Sequence, residues 1–65
     1  MRTVIKENEG FRLVLEKKPC LRPEGLNNIE MTGEQLRDGE IIHSSTYQFF
    51  MTQEEINNLA KALAE

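Results

Sequence analysis

The one histidine of the 65-residue chain, His43, is followed directly by Ser44 and Ser45, the residue types of a nucleophile–base pair. Such a pair needs hydroxyl and imidazole converging on one proton, an orienting acid and donors for an oxyanion. The run 40–50 is rich in β-prone residues, so Ser44 points away from His43. Ser45 shares its side of the strand but lies near no loop that could supply oxyanion donors. These residues read as structural polar groups. Cys20, flanked by Pro19 and with Lys17, Lys18 and Arg22 nearby, has the cationic surroundings that favour a thiolate. With no second cysteine to resolve an oxidised form, it reads as an incidental thiol. One cysteine and one histidine fall short of the four ligands of a structural zinc site. The glycines at 10, 25, 33 and 39 form neither a Walker nor a dinucleotide pattern. No catalytic residue, cofactor or metal is therefore expected, and the chain does not read as an enzyme.

Charge is unevenly placed. Residues 1–22 carry six basic and three acidic side chains, whereas residues 23–65 carry two basic and eight acidic ones, giving +3 against −6. A dipolar chain of this kind can stack on itself or offer either sign to a partner. The basic set Arg2, Lys6, Arg12, Lys17, Lys18 and Arg22 admits a nucleic-acid interface. Aromatic residues are not interleaved with it as a stacking platform requires. The acidic set Glu24, Glu30, Glu34, Asp38 and Glu40 admits a nucleic-acid mimic. No apolar leader follows Met1, no run approaches the ~20 residues of a membrane span, and the lone cysteine implies no disulfide. The expectation is a cytoplasmic protein.

The elements that must hold these residues are legible to different degrees. The clearest is the ending. Thr52 and Glu55 have capping-box spacing, Met51 and Ile56 form a hydrophobic staple, and Ile56, Leu59, Ala60 and Leu63 make one apolar stripe at helical period. The stripe must cover something, and the upstream chain reads as the sheet beneath it. Residues 2–7 and 11–17 alternate around Asn8-Glu9-Gly10, a three-residue hairpin loop with Gly10 in the left-handed position. That register puts Ile5 opposite Leu13 and Thr3 opposite Leu15. It gathers Ile5, Phe11, Leu13 and Leu15 on the face meeting the helix, and Val4 and Val14 on the reverse.

Pro19, Pro23 and Gly25 mark the connection 17–25 as irregular. Residues 26–32 read as a third strand with Ile29 and Met31 inward. For 32–39 two readings compete: a single capped helical turn from Thr32 to Gly39, or a strand to Leu36 reversing over Arg37-Asp38-Gly39-Glu40. Asp-Gly favours the hairpin. The run 40–50 has apolar groups on both faces at both ends. Ile41, Tyr47 and Phe49 fall on one side, Ile42 and Phe50 on the other. Either a bulge near Ser44-Ser45 resets its parity, or a second subunit covers one side.

These readings give a single α+β domain over 1–65: a small antiparallel sheet of three to four strands with one C-terminal helix packed on one face. A strand leading into a capped helix is common to unrelated small domains and implies no activity. A core this small buries only about 60% of the unfolded surface, and no disulfide or metal supports it. Self-association is the remaining support. The function expected is a non-catalytic protein-binding module, a small oligomeric accessory regulator or inhibitor of a larger protein, of the type that phages and other mobile elements encode. The residues expected to bind partners are Arg2, Val4, Lys6, Arg12, Val14, Ile42 and Phe50, with a homodimer joined through the face of Val4, Val14, Ile42 and Phe50. A nucleic-acid-binding domain using the basic hairpin and an acidic nucleic-acid mimic are the alternatives.

Overall fold

The computed structural model describes residues 1–65 as four strands, β1 (Arg2–Glu7), β2 (Phe11–Pro19), β3 (Leu26–Arg37) and β4 (Glu40–Thr52), followed by one helix, α1 (Gln53–Ala64). The strands form one antiparallel meander in the order β1-β2-β3-β4. The fold class is thus α+β, as the alternation and the capped ending imply. β3 and β4 continue to a two-residue reversal, with Asp38 at φ 53° and Gly39 at φ 82°. Two successive left-handed residues are what a tight hairpin of this twist needs, and Asp-Gly supplies them with little strain. The hairpin reading of 32–39 is correct and the helical turn is not formed.

Register decides which residues share a face. Thr3 pairs with Leu15, Leu15 with Met31 and Met31 with Tyr47. Parallel to that row run Lys17–Ile29–Phe49 and Leu13–Gly33–Ser45. This is the apolar face. The other face holds Val4–Val14–Thr32–Thr46, Arg2–Glu16–Glu30–Gln48 and Arg12–Glu34–Ser44.

Two bulges depart from the expected register. The first leaves Ile5 unpaired, so Lys6 rather than Ile5 stands opposite Leu13, and Glu7 opposite Arg12 rather than Phe11. It arises because the loop closes one residue differently. Asn8 donates its backbone N–H to the Phe11 carbonyl, and its side-chain Oδ1 accepts from the Gly10 N–H at 3.0 Å. Gly10 does not take a positive φ; Gly25 and Gly39 are the glycines that do. An Asx-type turn does the work assigned to glycine. The second bulge lies at Ile42, because Gln35 pairs with His43 but Leu36 with Ile41. The parity of β4 is reset there and not at Ser44-Ser45. Ile41 consequently joins the face of Phe50, away from Tyr47 and Phe49.

β2 runs two residues beyond Lys17, pairing Lys18 with Asn28 and Pro19 with Asn27 before the irregular loop that ends at Gly25 (φ 87°). The helix begins as its sequence dictates. The Glu55 N–H donates to Thr52 Oγ1 at 3.2 Å and the Thr52 N–H to Glu55 Oε1 at 2.8 Å. Thr52→Ala removes one half of this box and should lower stability by about 1 kcal/mol in a urea melt.

Little is buried. Val14 (4% exposed), Ile29 (7%) and Glu34 (8%) are the buried residues of the whole chain. The helix packs against β4, and Gln53 in its first turn accepts from Lys17 Nζ at 2.8 Å. Beyond that turn the apolar stripe opens to solvent. Ile56 is half-buried, Leu59 is 45% exposed and Leu63 78%. Leu59 and Leu63 therefore do not fill a core within one chain, contrary to the role their spacing suggests. The molecule measures 41 × 31 × 16 Å, and its radius of gyration is 13.8 Å. A compact 65-residue domain would have about 11 Å.

Candidate interaction surfaces

The polar face is built on charge pairing across strands. Arg12 Nε donates to Glu34 Oε1 at 2.6 Å, and its Nη1 reaches Glu7 Oε2 at 3.4 Å. The Glu34 and Glu7 carboxylates hold the Arg12 guanidinium above its ordinary pKa, the Glu34 hydrogen bond contributing most. Lys18 Nζ and Glu16 Oε1 are 2.9 Å apart. That hydrogen bond lowers the Glu16 pKa and raises that of Lys18. The sign for Glu16 follows from linkage: its contribution is present above the ordinary carboxylate range and is lost as pH falls through the depressed folded value. Thr32 and Thr46 hydroxyls meet at 2.9 Å. Asn28 donates from Nδ2 to Glu30, while its Oδ1 is buried without a partner in the chain, opposite Phe50.

Val14 sits at the floor of this face, in a hollow it shares with Arg2, Glu16, Glu30, Thr32 and Glu34. The long polar side chains cover it with their stems. Of the residues expected to bind partners, Val14 thus has almost no surface left to offer, and Arg12 is committed to carboxylates. Lys6 is carried to the opposite face by the Ile5 bulge. Arg2, Val4 (46% exposed), Ile42 (53%) and Phe50 (59%) remain accessible. Removing one member of the Arg12–Glu34 pair leaves the other poorly compensated. Arg12→Ala should lower the melting temperature by several degrees, read by circular dichroism, with Arg12→Lys recovering only part.

The apolar face is the opposite case. Phe11 lies against Gly33, whose Cα–H leaves room for the ring: an added Cβ would stand 3.4 Å from the ring carbons. Phe11, Leu13 and Leu15 are half-buried, while Met31 (37%), Phe49 (53%) and Tyr47 (67%) are exposed. In the five rows from Phe11–Gln35–His43 to Pro19–Asn27–Met51, Lys6 and Lys17 are the only charged side chains. The bulges give this distribution, and sequence alternation alone did not reveal it.

His43 Nε2 lies 3.4 Å from Ser45 Oγ in an exposed position. The contact is long and no carboxylate orients the ring, so it has no geometry for activating a hydroxyl. His43→Gln and Cys20→Ser should leave assembly and partner binding within a few-fold of wild type, as read by sedimentation and affinity capture.

The acidic residues do not form one surface. Glu34 is buried against Arg12, while Asp38 and Glu40 lie at the β3–β4 turn, at the opposite end of the sheet from Glu24 in the β2–β3 loop. No helix is long and apolar enough to cross a membrane. The chain matches no known protein family, no curated protein and no solved structure at a significant level.

Proposed function

We propose that this chain is a non-catalytic protein-binding module that works as a homodimer in the cytoplasm, a small accessory regulator or inhibitor of a larger protein, of the kind mobile elements encode. The observation that carries the reading is surface. The chain exposes 5365 Å². A folded monomer of 7.5 kDa exposes about 4,250 Å². The excess of about 1,100 Å² per chain, or about 2,200 Å² for a pair, falls in the range of obligate homodimer interfaces. Two separate sets of exposed apolar groups contribute to it. One comprises Met31, Tyr47 and Phe49 with the helix stripe; the other comprises Val4, Ile41, Ile42 and Phe50. One set serves self-association and leaves the other, carried on the edge strands β1 and β4, for the larger protein.

Affinity capture with wild type and with an Ile42→Ser/Phe50→Ser variant tests the second role. A protein held by the wild type and lost with a still-dimeric variant is the expected result. Identical captures by both proteins would count against it. The nucleic-acid reading is weakened because Arg12 and Lys18 are already paired with carboxylates. Anisotropy of a labelled single-stranded oligonucleotide discriminates the two: tight binding with a steep loss on adding salt would favour the nucleic-acid reading.

A further inference from the structure

The homodimer of the preceding section leaves open which surfaces meet, and the inference here rests on that reading. We infer that α1 of each copy lies on the apolar sheet face of the other, with β4, the edge strand from which the helix departs, nearest the twofold axis. The first ground is that one chain carries two unpartnered apolar surfaces. A helix stripe grows more exposed from Ile56 to Leu63, and a one-layer sheet lacks cover over Met31, Tyr47 and Phe49. The helix does not fold back across its own strands; it packs mainly on β4 and reaches β2 only through the Lys17–Gln53 hydrogen bond of its first turn. A twofold operation brings each surface onto the other's copy and closes the assembly.

The second ground is charge. Around its stripe α1 and the C-cap carry Glu54, Glu55 and Glu65 against a single Lys61, whereas the five rows of the apolar face from Phe11–Gln35–His43 to Pro19–Asn27–Met51 carry Lys6 and Lys17 and no carboxylate, the Arg37–Glu40 pair lying beyond them at the turn. Helix against helix would oppose acids with acids, and sheet against sheet would oppose lysines with lysines. Helix on sheet pairs opposite signs, which is the arrangement that also suppresses the competing ones.

The third ground is the edge itself. β4 is long, and residues 40–50 are exposed throughout. An edge of this kind is a template for another chain unless something covers it. A partner along β4 covers it and sets the overhanging helix above the partner's sheet. The interface differs from the one expected from sequence, because Val14 is already covered and cannot be its centre.

Intermolecular paramagnetic broadening tests this placement without presupposing a register. Unlabelled chains carrying Cys20→Ser and a nitroxide at Ala62→Cys, beside the stripe rather than on it, are mixed with isotope-labelled Cys20→Ser chains. Broadening of Leu13, Leu15, Met31 and Tyr47 in the labelled chain is expected. Broadening confined to α1, or centred on Val4, Ile42 and Phe50, would overturn the placement while leaving the homodimer standing. No broadening, together with a monomer by sedimentation in the same sample, would overturn the homodimer as well.

Discussion

Ile29→Ala should lower the unfolding free energy by about 2–3 kcal/mol, toward the lower end of buried isoleucine truncations because the surroundings are only partly enclosed. Ile29 is one of two buried apolar residues, and it stands between Lys17 and Phe49 on the face where the helix begins. Small domains have about 3–5 kcal/mol to lose in total, so the variant should be largely unfolded at physiological temperature. Ile29→Val, which removes one methylene, should cost about 1 kcal/mol. Denaturant melts of the pair check this. Equal stabilities for wild type and Ile29→Ala would show that the centre of this small core lies elsewhere.

The second large effect concerns concentration. If folding and association are linked, the melting temperature rises with protein concentration, since a partner that binds only the folded chain stabilises it by mass action. Leu63→Lys should abolish that dependence. In an isolated chain the same substitution lies at a 78% exposed position and would fall within about 0.5 kcal/mol of neutral. The two cases separate cleanly, because the monomer account gives a flat plot for both proteins. Leu59→Ala, at 45% exposure, should behave in the same way with a smaller slope change. Calorimetry over a hundredfold range of concentration is sufficient.

How much of this was legible beforehand differs by element. The capping box was readable because Thr52 and Glu55 act on each other through local backbone geometry, which sequence spacing specifies. The β3–β4 reversal was readable for the same reason, since Asp38 and Gly39 meet a conformational demand of the turn itself. The bulges at Ile5 and Ile42 were not. A bulge depends on how a strand pairs with its neighbour, and a shift of one residue moves every later side chain to the other face. That is why strict alternation puts Lys6 and Ile41 on the sides opposite to those they occupy, and why it outlines the face of Leu15, Met31 and Tyr47 only in part. Gly10 needs no left-handed conformation because Asn8 closes the loop through its side chain.

The candidate surfaces show the same division. Exposed Phe50 and Ile42 were identified from the two-sided pattern of β4, which no single helix could cover. Sequence alternation puts Val14 with Val4 as an apolar pair on the outer face of the hairpin, where it reads as a contact residue. Polar side chains from three strands, Arg2, Glu16, Glu30 and Glu34 among them, surround it in the structure. The helix stripe was correctly traced in sequence, yet spacing says only that a stripe needs a partner surface and not which chain provides it.

Sedimentation equilibrium of the wild-type protein from high to low micromolar concentration tests the central claim most directly. The account predicts a mass twice that of the 7.5 kDa chain across most of that range, falling toward one chain only at the dilute end. A single chain mass at every concentration would contradict it, and would require the exposed helix stripe and sheet face to be stable in water as they stand.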